Sequence, residues 1–240
     1  MKKLLFAMFV FVSLHSYAQP WKTIKGDGNL KKETRIVSNF TSVSSHGSID
    51  VQISYGNSNS INVEADENLL PYLETTVEGD KLIIKPKKNV NLKSKSRIVV
   101  YVSMTTINSL EQSGSGNING NGAYINEGKI EIKVSGSGNV NLGFDSFNNM
   151  DLFISGSGNI DMTGNSANNI SASISGSGNI DCSKVSCINV DAKISGSGNV
   201  SVNVKKSINA KISGSGNVFY KGDATNISTK IAGSGKVIKM

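Results

Sequence analysis

The sequence predicts an all-β protein, a right-handed parallel β-helix (β-solenoid) of about six coils of near 20 residues each, closed at its N-terminal end by a β cap. Three observations predict it. First, the hexapeptide Ser-Gly-Ser-Gly-Asn-(Ile/Val) begins at Ser113, Ser135, Ser155, Ser175, Ser195 and Ser213, and a degenerate copy starts at Ala232; the spacings are 22, 20, 20, 20, 18 and 19 residues, a period that makes each repeat one structural unit. Second, apolar residues alternate with polar ones on both sides of every copy, as in Met150, Leu152 and Ile154 before it and Ile160 and Met162 after it, which is the period of a strand. Third, no helical period appears anywhere in this half of the chain.

Taken in order, the chain opens on a segment to be set aside before composition carries meaning. Lys2 and Lys3 form a positive n-region, residues 4–14 an apolar h-region, and Ser16-Tyr17-Ala18 offers small residues where a signal peptidase reads. Residues 1–18 therefore read as a signal peptide cleaved after Ala18. The apolar run is shorter than the ~20 residues a bilayer span needs, and no other segment is long enough, so no integral membrane span is expected after cleavage. The expected location is the periplasm, the cell surface or the medium.

Residues 19–108 read as less regular strands forming the cap: a hairpin of 51–54 with 61–64, a second of 75–77 with 81–85 across Glu78-Gly79-Asp80, and a further strand at 97–103. Residues 66–73 are the one candidate helical turn. A solenoid needs its open end covered, and this region is expected to pack on the first coil.

Residues 109–240 form the solenoid. The alternation keeps its phase through the hexapeptide, so both glycines of each copy (Gly136 and Gly138, Gly156 and Gly158, Gly176 and Gly178, Gly196 and Gly198) share the parity of the buried residues. Such glycines mark a bend where an inward side chain would strike the opposite wall or strain the backbone. The Ser and Asn of successive coils then stack ~4.8 Å apart, in hydrogen-bonding range along the ladder. A propeller would need a repeat about twice as long, to hold four strands per blade.

Function is sought on the outward parity. Ser137, Asn139, Ser157, Asn159, Ser177, Asn179, Ser197 and Asn199 make a repeated polar face suited to a glycan or an envelope protein, or else a ladder that only keeps the coils soluble and in register. Because β-helices include polysaccharide lyases and hydrolases, the equivalent Asp161 and Asp181 of adjacent coils are the candidate carboxylate pair of the alternative, enzymatic reading; the same position is Asn119, Asn141, Ser201 and Phe219 elsewhere, as expected of an ordinary ladder residue. A non-catalytic protein is expected. No cofactor and no metal site are expected either: His46 is the one histidine beyond the signal segment, and the repeat lacks the aspartate of nine-residue calcium β-rolls. Cys182 and Cys187 could be bridged in an oxidising compartment or stay as buried thiols, and both readings stand.

Without Lys2 and Lys3 the chain has 23 basic and 18 acidic residues. The excess concentrates in Lys81, Lys85, Lys87, Lys88, Lys93, Lys95 and Arg97, read as solvated strand and loop charges. No aromatics interleave for base stacking, and export argues against nucleic acid as a partner.

Gly-Asp-Gly-Asn at 26–29, Phe40 followed by Gly47-Ser48-Ile49-Asp50-Val51, Asp66-Glu67-Asn68-Leu69-Leu70-Pro71-Tyr72 and the recurrent Gly-Ser-Gly-Asn steps resemble the head GIN domain family of Bacteroidetes, described as autotransporter adhesins. The resemblance covers nearly the whole chain after residue 18. It implies a secreted β-solenoid with an adhesin-like role, without assigned functional residues. The membrane barrel of a true autotransporter is not part of this sequence.

Overall fold

The computed structural model describes residues 21–240; the expected signal segment and its cleavage point lie outside the described residues. Parallel coils stack into a β-solenoid of about seven turns. Along the central strands Asn139–Gly156, Asn159–Gly176, Asn179–Gly196 and Asn199–Gly214 each hexapeptide lies in register with the next, Gly156 on Gly176 and Gly176 on Gly196. The inward parity builds the core in rows that run the length of the stack. One such row, Val43, Leu110, Ile132, Leu152, Ala172, Ala192 and Ala210, is wholly inaccessible.

The unequal repeat lengths are absorbed at one place. Register around the hexapeptide is unbroken, whereas slips fall between Asn126 and Lys129, Asp161 and Ser166, and Cys182 and Asn189. The variable segment is thus the corner opposite the motif. There Phe144 packs on Phe147 with ring centroids 4.4 Å apart, and the next coil places Gly164 over the Phe144 ring, where a Cβ would come within 2.6 Å.

The solenoid starts earlier than the hexapeptide. Ser42–Gly47 pairs in parallel with Ser109–Gly114, and Asp50–Tyr55 with Asn117–Asn121, so His46-Gly47-Ser48-Ile49-Asp50-Val51 occupies the motif's place in an additional coil. Beneath it, Lys81–Pro86 and Val99–Met104 run parallel to those strands. The capping layer proper is antiparallel: Leu30–Arg35 on Ser60–Asp66, and Leu73–Glu78 on Lys81–Pro86, the latter being the expected second hairpin.

The first expected hairpin does not form. Val99–Met104 lies between its two arms, parallel to Asp50–Tyr55 and antiparallel to Ser60–Asp66. Alternation specifies which residues face the core; it does not say whether a neighbour in sequence is a neighbour in the sheet. The candidate helical turn is present as the 3-10 segment Glu67–Tyr72, buried through Leu69 and Leu70 and clamped by Arg35, which donates to the carbonyls of Leu73 (2.6 Å) and Leu70 (2.9 Å).

A separate two-stranded flap, Lys22–Lys25 parallel to Val90–Lys93, crosses the flank of the cap. Its anchor is Asp66, a buried carboxylate that accepts from Ser94 Oγ (2.6 Å) and the Lys95 amide (2.9 Å). The Ser94 hydroxyl and the surrounding backbone amides hold its pKa below the usual carboxylate value.

Candidate functional site

The hexapeptide forms the corner, by a mechanism partly different from collision with the opposite wall. A Cβ on Gly158 would stand 2.0 Å from the Gly138 carbonyl oxygen and 2.6 Å from Val134 Cγ1, and one on Gly178 2.0 Å from the Gly158 oxygen. The obstruction is the coil beneath. The first glycine has the additional constraint of positive φ, +127° at Gly156 and +131° at Gly176. Its carbonyl accepts twice from the following coil: Gly136 O takes the amides of Ser157 (2.9 Å) and Gly158 (3.0 Å), so the bend leaves no orphaned donor.

The polar face inferred from sequence splits into two kinds of residue. The asparagines are engaged with one another: Nδ2 of Asn159, Asn179 and Asn199 donates to Oδ1 of Asn139, Asn159 and Asn179 at 2.8–3.1 Å. The same oxygens accept the backbone amide of the next Asn at 3.1–3.2 Å. The ladder begins on Asp50, which accepts from Asn117, and ends where Lys236 donates its amide to Asn217. Ser137, Ser157, Ser177 and Ser197 are exposed at the bend, and their hydroxyls make no hydrogen bond among the described residues.

Asp161 and Asp181 are register partners, continuing the row in which Asn141 Nδ2 donates to Asn119 Oδ1 at 2.7 Å. Burial and the Asp181 charge push the Asp161 carboxyl up, while Asp181 accepts the Ser183 amide at 2.8 Å. Both stand side by side on one sheet face and neither opposes the other. His46 contacts Ser44 Oγ at 3.2 Å, and burial, then Lys85, lower its pKa. Ser44 is 3% exposed, whereas the half-buried His46 ring borders a cleft between the flap and Ile49. The bridge considered for Cys182 and Cys187 is not formed: both are free thiols facing the core, and burial pushes the Cys187 thiol up to about 12 and that of Cys182 well above its ordinary value. Among the described residues no cluster of His, Cys, Asp and Glu could hold a metal ion.

Asp161 lines a shallow concavity of about 520 Å³ with Asn119, Asn141 and Thr163, which Asp181 does not line; a longer concave feature lies on the face that precedes the bend. A groove of about 780 Å³ runs along the stack between two outward rows. One row comprises Lys133, Phe153, Ser173, Lys193, Lys211 and Lys230, and the other Ser135, Ser155, Ser175, Ser195, Ser213 and Ala232, with Val134, Ile154, Ile174, Ile194 and Ile212 between them. Ser137, Ser157, Ser177 and Ser197, singled out from the sequence, lie two residues beyond the serines of this groove, and the lysines of its other wall were not among the residues singled out. The signal was present: Lys133, Lys193 and Lys211 each stand two residues before a hexapeptide and Lys230 two before the degenerate copy. The basic cluster of residues 81–97 surrounds a second cleft of about 730 Å³ between the flap and Ile49, lined also by Trp21 and His46. Three of its charges are tied to the fold, Lys81 to Glu111 (2.9 Å), Arg97 to Asp50 (3.5 Å) and Lys95, which donates to the Asp27 carbonyl (2.9 Å).

A family model described as "Putative auto-transporter adhesin, head GIN domain" matches residues 39–224. Among solved structures, a "putative adhesin" of Parabacteroides distasonis is 25% identical with a TM-score of 0.77, covering 91% of this chain and 100% of its own. A "putative lipid binding protein" of the same organism is 27% identical with a TM-score of 0.74 and the same coverage. A "putative adhesin" of Bacteroides fragilis is 18% identical with a TM-score of 0.81, covering 90% of this chain and 100% of its own, and shares the fold. No curated protein matches the chain.

Proposed function

The chain belongs to the head GIN domain family, and from that premise we propose that it is an exported, non-catalytic, adhesin-like module of the cell envelope that holds a linear glycan along the groove of its solenoid. The observation that carries the reading is the groove itself, continuous from Lys133 to Lys230 over six coils. Coils repeat every ~4.8 Å, so six rungs offer a site about 24 Å long with the same chemistry at each step. An extended polymer fits such a site better than a compact ligand does. Hydroxyls along one wall and Phe153 on the other supply hydrogen bonds and a stacking face for sugar rings.

The name of the Parabacteroides lipid-binding relative raises an acyl chain as an occupant. The floor of Val134, Ile154, Ile174, Ile194 and Ile212 is apolar, but the groove is open along its length, which favours a sugar chain that sets its ring faces on that floor and keeps its hydroxyls in water over a hydrocarbon that must be taken out of water on every side. Against catalysis by Asp161 and Asp181 stands their arrangement: glycoside hydrolysis needs carboxylates that flank the scissile bond, and these two are neighbours on one face of the same sheet.

Purified residues 19–240 on a glycan array provide the test. Binding to at least one linear glycan, lost in Phe153→Ala with the melting temperature retained, is expected. No binding to any glycan overturns the proposal. Release of new reducing ends from a bound glycan, abolished by Asp161→Asn, overturns its non-catalytic part.

A further inference from the structure

Lys193, Lys211 and Lys230 occupy consecutive rungs in strict register. All three are exposed. Like charges directly opposite one another on neighbouring strands are destabilising; the solenoid lysines Lys129 and Lys133 have carboxylate partners in Asp151 and Glu131, whereas these three are stacked on one another. Among the described residues no carboxylate lies within ion-pair distance of Lys193, Lys211 or Lys230. Of the acids of the adjoining outward row, Glu131 and Asp151 pair with Lys133 and Lys129, while Asp191 accepts from Asn209 Nδ2 at 3.1 Å through Oδ2 and its buried Oδ1 has no partner among the described residues. The three stacked cations make one continuous positive stripe along the wall of the groove.

We propose that this lysine ladder selects a linear acidic polysaccharide, a polyuronate-type chain, laid along the groove with its carboxylates on the lysine row and its hydroxyls on the serine row. A hexuronic unit is about as long as one ~4.8 Å rung; because successive units of a 1,4-linked chain are rotated about its axis, about one carboxylate in every two or three faces the lysine row, and the stripe of three lysines offers a partner wherever that carboxylate falls. The lysine row is confined to the C-terminal half of the groove, while Lys133 is shared with Glu131 and leans on Phe153, its Nζ 5.9 Å from the ring centroid. The acidic stretch of the ligand therefore lies over Lys193 to Lys230, and Phe153 stacks on a neighbouring ring.

This inference rests on the glycan-groove reading, and its test separates the two. Binding of residues 19–240 to oligogalacturonate, to its neutral methyl ester, to single-stranded DNA and to anionic phospholipid vesicles is measured by calorimetry at low and physiological salt. Oligogalacturonate is expected to bind at least tenfold more tightly than the ester and to weaken with salt. Each of Lys193→Gln, Lys211→Gln and Lys230→Gln should lower that affinity about two- to fivefold, the scale of one exposed ion pair, and the triple variant should lose it with its melting temperature unchanged or raised. Equal binding of the ester, unchanged affinity in the triple variant, or DNA or vesicles bound as tightly as oligogalacturonate each overturns the inference. If neutral glycans bind the groove and oligogalacturonate does not, the glycan reading survives and the acidic one fails; if no glycan binds, both fail.

Discussion

A single hydrogen atom decides the corner of each coil. At Gly178 the space for a Cβ is already filled by the Gly158 oxygen 2.0 Å away and by Ile154 Cγ2 at 2.9 Å. One residue earlier, Ser177 points to solvent. Gly178→Val should therefore cost about 3 kcal/mol or more, since overpacking against backbone cannot be relieved by a rotamer change, whereas Ser177→Val should stay within about 0.5 kcal/mol. Chemical denaturation of the two variants checks this; equal losses would refute the parity. Asp161 makes the opposite case, a residue the fold would do better without. Burial and Asp181 raise its pKa, so the folded state holds its proton more tightly than the unfolded chain, and stability is lost as pH rises through the folded pKa. Asp161→Asn should stabilise the protein at neutral pH by about 0.5 kcal/mol, the scale of one cross-strand pair. Thermal melts should show the gain shrinking as pH falls through the ordinary aspartate range, where the wild-type carboxyl is protonated in both states.

At the scale of elements, the asparagine ladder performs the work that sequence reasoning divided between binding and register. Each Asn Oδ1 accepts both an amide and a side chain from the coil above, which leaves little of its acceptor capacity for a ligand. Replacing Asn159, Asn179 and Asn199 together with Ala should cost about 3 kcal/mol, near 1 kcal/mol for each, seen as a lower melting temperature, while glycan binding in the groove persists at temperatures where the variant is folded. The ladder, the solenoid and the second hairpin were legible because identical residues at a fixed period can only stack, and because Glu78-Gly79-Asp80 is a short turn between alternating strands. The first hairpin was not, because Val99–Met104 carries the same alternation as the strands it separates. The added coil escaped notice because Ile49 and Asp50 stand where later coils have Gly and Asn. The groove was half legible: the lysine spacing is visible in the chain, but which outward rows wall a concavity depends on where the coil bends.

For the whole molecule, stacking makes stability a property of position along the axis. Each coil is held by the one below and the one above, and the capping layer of Leu30–Arg35 and Ser60–Asp66 closes one end. At the other end, the inward positions of Asn226–Gly233 remain open among the described residues: Ile227 is 43% and Ile231 41% exposed, against 1% and 2% at their register partners Ile208 and Ile212. The same substitution should therefore have an effect graded by rung. Ile194→Ala, in the middle of the stack and 2% exposed, should cost about 3 kcal/mol through lost burial and an unfilled cavity. Ile231→Ala, two rungs further in the same row, should cost under about 1 kcal/mol, since much of that side chain is already in water. Amide exchange should follow the same gradient, fastest in Asn226–Gly233 and Lys236–Lys239 and slowest in Asn159–Gly176 and Asn179–Gly196, because the terminal rung opens without disturbing the others whereas a central rung opens only when its neighbours part. Uniform protection from one end to the other, or equal losses at Ile194 and Ile231, would show that the open coil is covered in solution and that the stack unfolds as a single block.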